Sequence, residues 1–232
     1  VSLDSTDNVG KFSSLAINSN DRLYISYYDS TNGNLNYISG TSGSWNTPYT
    51  IDYNDDVGTQ PSLAIDSNDD LHITASDNTY DNLDYYTLGS AWTQQTTIAD
   101  DSGILGEKSS LAIDSNNILH VTYYNSGNGD LEYLNSSSPT QLTAFGLPVA
   151  LDSTDDVGYG SSLAIDSNDN LHVTYFDSTN GNLEYIMHNG TSWSTPVSLD
   201  STDNVGLDSS LAVDSNDNLH VTYYDFTNGN LE

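Results

Sequence analysis

The chain of 232 residues contains no cysteine, so no disulfide framework holds it and no thiol nucleophile is present. It has three basic residues, Lys11, Arg22 and Lys108, against 33 acidic ones, for a formal net charge of −30. Nucleic-acid binding requires cations that displace phosphate counterions, and an anionic bilayer repels such a chain, so neither partner class is expected. No apolar run is long enough to cross a membrane, so no membrane insertion is expected. Glutamate is scarce too: only Glu107, Glu132, Glu184 and Glu232 occur, and the other acids are aspartate. Asp and Asn bond nearby backbone N–H groups and accept left-handed conformations, so the acidity reads first as turn chemistry. Salt adaptation and cation binding stay open beside it.

What is present is repetition. Ser-Leu-Ala-(Ile/Val) recurs with its Leu at Leu15, Leu63, Leu111, Leu163 and Leu211. A period near 48 residues results, with blade starts near residues 13, 61, 109, 161 and 209 and extra residues around Pro139 to Pro148. In the fourth copy, four strands are predicted over 162–166, 171–177, 182–188 and 192–200. They are joined by Asn168-Asp169-Asn170, Asn180-Gly181 and Asn189-Gly190. Four short antiparallel strands per repeat at this period, with no helical pattern, predict an all-β fold. The chain reads as one β-propeller domain over 1–232, with about five four-stranded blades.

The segment Val1–Gly10 repeats Val197–Gly206 letter for letter, so the chain opens on a fourth strand. It ends at Glu232, within the third strand of an incomplete last blade. The expectation is a ring closed by the N-terminal strand completing that blade. The residues equivalent to Tyr185–Pro196 are missing between the two ends. A fragment, a continuing array, or self-association through exchanged terminal strands accommodates this.

The Leu-Ala-Ile-Asp, polar turn, Leu-His-Val-Thr-Tyr pattern resembles the first hairpin of NHL and related bacterial propellers. Those usually carry Gly where this chain has Asn170 or Asn218. Asn189-Gly190-Thr191-Ser192-Trp193 sits where sialidase-like propellers keep an Asp box, without the Asp or the box spacing. The five-fold count is similar to tachylectin-type lectins and to five-bladed arabinan-cleaving glycosidases. The resemblance implies architecture; propellers host many functions.

His72, His120, His172 and His220 share one repeat position on the second strand. Blade spacing holds them too far apart for one metal, and they read as structural. The face carrying the second-to-third-strand turns and the blade-to-blade connections is the expected ligand mouth. There Tyr28, Asp29, Tyr124, Asn125, Phe176, Asp177, Tyr224 and Asp225 pair a ring with a polar turn residue, a pattern suited to glycans. Asp52, Asn54, Asp56, Asp152, Asp155 and Asp156 place clustered oxygens in short connections, as Ca²⁺ prefers. Capping of their own turns and packing between blades are the competing readings of these residues. Carboxylates repeat with the blades and no acid–base pair stands out, which argues against a glycoside hydrolase. Glu107 is the acid to test if activity appeared.

The sequence therefore predicts a non-catalytic extracellular or cell-surface binding module. Its expected partners are glycans, bound at repeated sites that gain through avidity. A structural or interaction domain that meets other cell-surface proteins, or forms a filament, is the alternative.

Overall fold

In the computed structural model of the chain, residues 2–54, 56–88, 96–99, 107–138 and 144–232 are described. Part of the insertion around Pro139 to Pro148 noted above lies outside the described residues. Alternating and β-branched segments cut by Asx-rich turns give five antiparallel sheets, the blades of a β-propeller. Blade 1 comprises β1 (Val9–Ile17), β2 (Leu23–Asp29), β3 (Asn34–Thr41), β4 (Ser44–Trp45) and β5 (Tyr49–Asp52). Blade 2 comprises β6 (Val57–Ile65), β7 (Leu71–Asp77), β8 (Asn82–Leu88) and β9 (Thr96–Ala99). Blade 3 comprises β10 (Glu107–Ile113), β11 (Leu119–Asn125), β12 (Asp130–Asn135) and β13 (Val149–Asp152). Blade 4 comprises β14 (Val157–Ile165), β15 (Leu171–Asp177), β16 (Asn182–His188) and β17 (Val197–Asp200). Blade 5 comprises β18 (Val205–Val213), β19 (Leu219–Asp225) and β20 (Asn230–Leu231).

In blade 4 the second and third strands fall where the sequence predicts them. The first is longer and the fourth shorter. β14 begins at Val157 because a bulge between Tyr159 and Ser162 lets the pairing resume upstream. β17 begins at Val197, and Trp193 makes only an isolated bridge to His188.

Each first turn is built by one acid or amide. Asp166 Oδ1 accepts from the N–H of Asn168 at 2.8 Å and of Asn170 at 2.9 Å, and Asp169 follows at φ 60°. Asn18, Asp66, Asp114 and Asp214 repeat the arrangement. These side chains replace the backbone partners that a tight turn leaves unpaired.

Blades join through a small set of contacts that recurs around the ring. The Oγ of Ser14, Ser62, Ser110 and Ser162 each accepts, at 3.0 Å, from the N–H of Leu63, Leu111, Leu163 and Leu211 in the next blade. Thr74, Thr122 and Thr174 meet Ser109, Ser161 and Ser209 at 2.9–3.0 Å. At the turns, Ser19, Ser115 and Ser167 donate to Asp69, Asp169 and Asp217 of the following blade. Apolar side chains fill the space between: Leu131 of blade 3 packs with Val157, Leu163, Val173, Tyr175 and Ile186 of blade 4.

The expected closure is the point where the structure departs from the sequence reading. Residues 2–8 form no strand, the fifth sheet has three strands, and β20 pairs only with β19. Leu63, Leu111, Leu163 and Leu211 are 7–8 % exposed against the preceding blade, whereas Leu15, at the same position, is 59 % exposed. Leu219 of blade 5 is likewise 37 % exposed where its equivalents Leu71, Leu119 and Leu171 are buried. The outward faces of blades 1 and 5 are therefore bare. The N-terminal segment still follows the repeat in one respect: Asp4 accepts from Tyr27 at 2.7 Å, as Asp200 does from Tyr223.

Candidate binding site at the axial mouth

The first strand of every blade carries a bulge near its start, at the end of the ring where the blade-to-blade connections lie. In each copy two residues sit between a glycine and the Ser/Pro-Ser that begins the regular pairing. They are Lys11-Phe12, Thr59-Gln60, Glu107-Lys108, Tyr159-Gly160 and Leu207-Asp208. The second residue of each pair has φ between 51° and 65°, a left-handed conformation imposed by the bulge. In blades 2, 4 and 5 the glycine before the pair is required by crowding. A Cβ on Gly158, at φ 105°, would lie 2.7 Å from the Leu131 Cα of the preceding blade.

Phe12, Gln60, Lys108, Gly160 and Asp208 converge on the axis and line one cleft of about 270 Å³ with Ser13, Pro61, Ser109, Ser161 and Ser209. The Lys108 ammonium contacts the Asp208 carboxylate, which bridges blades 3 and 5 across the channel. The same ammonium lies 4.2 Å from the centre of the Tyr159 ring. Gln60 Oε1 accepts from the Lys108 backbone N–H. Tyr124 meets Tyr159 edge-on with ring centres 5.7 Å apart, and its hydroxyl donates to Asp156 at 2.6 Å. Tyr28 donates to Asp56 at 2.5 Å, and the burial and this bond raise its pKa to about 12.

The structure sorts the sequence-predicted residues into two groups. Tyr28, Tyr124, Phe176 and Tyr224 are paired across the ladder with the first residue of the variable dipeptides, beside the bulges but not in the lining of the cleft. Phe176 is buried, Tyr28 and Tyr124 are half-buried, and Tyr224 is exposed. Asp29, Asn125, Asp177 and Asp225 are buried and cap their own turns. Asp29 accepts from Thr31 N–H at 2.9 Å and from Asn32 Nδ2 at 2.8 Å, and Asp177 and Asp225 accept from Asn180 and Asn228. Asn125 accepts from the Gly127 N–H and donates to Glu132.

The connection acids are not gathered into one cage. Asp52 accepts from Asn54 and Tyr86, and Asp152 from Thr154 and Tyr175. Asp56 and Asp156 hold the tyrosine hydroxyls of the previous blade. Asp155 is exposed at φ 70°. Among the described residues, no group of three or more His, Asp or Glu is placed to hold a metal ion. His72, His120 and His172 are bonded through Nδ1 to Tyr85, Tyr133 and Tyr185 at 2.6–2.7 Å, and their other nitrogens face Asp66, Asp114 and Asp166. These three are held within their own blades, whereas His220 of blade 5 is 65 % exposed at the side chain.

No protein-family model matches the chain, and no curated protein matches it. Solved structures do. A triple arginine-to-alanine variant of AofleA from Arthrobotrys oligospora superposes with a TM-score of 0.64 at 14 % identity, covering 91 % of this chain and 65 % of that one. A protein of unknown function from Dyadobacter fermentans gives 0.65 at 10 %, covering 91 % and 74 %. A polysaccharide lyase described as an ulvan lyase gives 0.65 at 14 %, covering 89 % and 62 %. These likenesses establish the propeller fold. The chain spans less than two thirds of the length of the first and third of these proteins. Carbohydrate-active enzymes recur among the fold's neighbours, including a leech intramolecular trans-sialidase and an exo-β-1,3-galactanase from Phanerochaete chrysosporium.

Sequence reasoning missed the axial dipeptides because it searched for recurrence. The signal was the opposite one: two adjacent positions that differ in every copy, between a nearly constant Val-Gly and a nearly constant Ser-Ser.

Proposed function

We propose that the chain is a non-catalytic carbohydrate-binding module that takes its ligand at the axial mouth. The observation that carries this reading is the set of five different residues, four side chains (Phe12, Gln60, Lys108 and Asp208) and the bare Gly160, converging on one cleft. A purely structural ring would be served by one solution copied five times. A single unsymmetrical ligand needs a different group at each point around it. Phe12 is 49 % exposed and offers a ring face to the C–H side of a sugar, while Gln60, Asp208 and the serines offer hydrogen bonds to its hydroxyls. The cleft is slightly below the usual range for ligand pockets, about 300–1,000 Å³, and suits one sugar ring better than a long chain. The naming of several fold neighbours for polysaccharides or sialosides supports the same direction by analogy. Asp208 is the one acid lining the cleft among the described residues, whereas a two-carboxylate glycosidase requires a pair. One unsymmetrical mouth replaces the repeated shallow sites, because the turn acids those sites needed are occupied by their own turns.

A glycan array, run in millimolar Ca²⁺ and again with chelator, tests the reading. Binding is expected in both, and Phe12→Gly and Gln60→Gly should each weaken it about tenfold. Glycine is the residue blade 4 carries at that position, so the bulge tolerates it. Binding that survives both substitutions would move the ligand elsewhere. Loss with chelator would move it to the acids around Asp52 and Asp152.

A further inference from the structure

We infer that the axial mouth selects a saccharide carrying a protonated amine, and that Lys108 occupies the amine position until such a ligand displaces it. The inference rests on the carbohydrate reading above and names the ligand class. Its basis is what surrounds the Lys108 ammonium: the Tyr159 ring face at 4.2 Å and the Asp208 carboxylate. An aromatic face beside an anion is the arrangement that recognises an organic ammonium group.

No structural requirement accounts for a cation here. The equivalent residues are Phe12, Gln60, Gly160 and Asp208, and all five copies form the same bulge with the same positive φ. The lysine backbone is held independently, through its N–H to Gln60. Its side chain is a flexible four-carbon stem that can leave while the backbone stays. Asp208, its partner, is 61 % exposed at the side chain, within reach of a ligand entering from solvent. Gly160 lies between them and leaves the space open: a Cβ there would touch Asp208 N at 3.5 Å and Lys108 Cδ at 3.8 Å. Tyr124, its hydroxyl held by Asp156, supports the Tyr159 ring from the side. The formal charge of −30 draws a cationic ligand toward this face and disfavours an anionic one. Once the ammonium of the ligand rests on Tyr159 and Asp208, Phe12 is left to meet the sugar ring, and Gln60, whose Oε1 stays on the Lys108 N–H, offers its Nε2 to a hydroxyl.

The test is calorimetric titration with a glucosamine trisaccharide and with its fully N-acetylated counterpart, at about pH 6, where an amine is protonated. The wild-type chain should bind the amine form about tenfold more tightly. Lys108→Gln, which installs the blade 2 residue, should tighten the amine form about tenfold and leave the acetylated form unchanged. Asp208→Asn should weaken the amine form about tenfold. Asp21→Asn removes the same charge from an exposed turn at the other end of the ring and should change neither; thermal unfolding checks the fold of all three variants. Lys108→Gln leaving the amine form unchanged, or weakening it, would overturn the inference. So would Asp21→Asn acting as strongly as Asp208→Asn, since the attraction would then belong to net charge. Neutral glycans binding in a Phe12-dependent way without an advantage for the amine would sink this inference alone. Failure of every saccharide would sink the carbohydrate reading with it.

Discussion

The Tyr86 hydroxyl donates to Asp52 Oδ2 at 3.1 Å, and so does in blade 2 what Tyr175 does for Asp152 in blade 4 at 2.7 Å. The two tyrosines lie on different strands. Blades 1, 3, 4 and 5 carry the tyrosine on the second strand, as Tyr27, Tyr123, Tyr175 and Tyr223, where blade 2 has Ala75. On the third strand Tyr86 replaces the Ile38, Leu134 or Ile186 of the other copies. The ring has moved across the sheet, and in blade 2 the carboxylate has kept its donor. Ala75→Tyr alone should overpack the core and cost about 1–3 kcal/mol. Tyr86→Ile alone should remove a buried bond and leave a cavity, at a cost of about 2–5 kcal/mol. The double variant restores the common pattern and should recover most of both losses. A urea-unfolding double-mutant cycle measures the coupling, and simple additivity would refute the exchange.

The open end of the ring gives a second comparison. Leu163→Ala should cost about 2–5 kcal/mol, because that leucine is buried against blade 3. Leu15→Ala, at the same repeat position but exposed, should stay within about 0.5 kcal/mol. Equal costs, measured as shifts in denaturant midpoint at constant slope, would mean that blade 1 is covered in solution.

Ser26 Oγ is buried without a hydrogen-bond partner, because Pro61 stands where the other blades present a serine to their threonine. Ser26→Ala removes that unpaired group and should be neutral or stabilising by up to about 1 kcal/mol. Thr122→Ala removes the bond that holds the buried Ser161 hydroxyl and should cost about 1–3 kcal/mol. Thermal unfolding of the two variants separates these outcomes.

Burial lowers the pKa of His72 and His120 against the pull of Asp66 and Asp114. The unfolded chain therefore binds protons more readily at these sites. Their contribution is present above the ordinary histidine pKa of about 6.5 and is lost as pH falls through that value toward the lower folded ones. Asp200 is depressed by bonds from Thr202 and Tyr223, and its contribution is lost only at more acid pH. Relief of like-charge repulsion works the other way in every variant. Between about pH 7.5 and 5.5, His72→Gln/His120→Gln should therefore gain stability relative to the wild-type chain. Parallel pH profiles in urea unfolding would exclude a role for the two histidines.

The blades were legible in the sequence because their turns are chemical. Asn180-Gly181 and the Asp166–Asn170 loop admit few other conformations, so the strands between them could be read to the residue. The start of each first strand was not legible. A bulge at positive φ is tolerated by Phe12, Gln60, Lys108 and Asp208 alike, so it leaves no residue signature and the segment read as connection. The site suffered the same way: Tyr28 and Tyr124 were found through their recurrence, while the five residues that line the cleft, one from each blade, do not recur. The closing strand failed for a different reason. Identity between Val1–Gly10 and Val197–Gly206 predicts what a strand could pair with, but pairing also requires the partner edge, and β20 is two residues long.

Among the described residues each blade grips chiefly its sequence neighbours and the outer faces of blades 1 and 5 are bare, an arrangement like a split washer. The bore of a split washer changes with the angle of its gap, and here the bore is the mouth lined by Phe12 and Asp208. The Lys108–Asp208 bridge spans three of the five blades and acts as a tie-bar on that angle. A ligand that released the bridge, as inferred above, would remove that tie, and aperture would then follow occupancy at the axis.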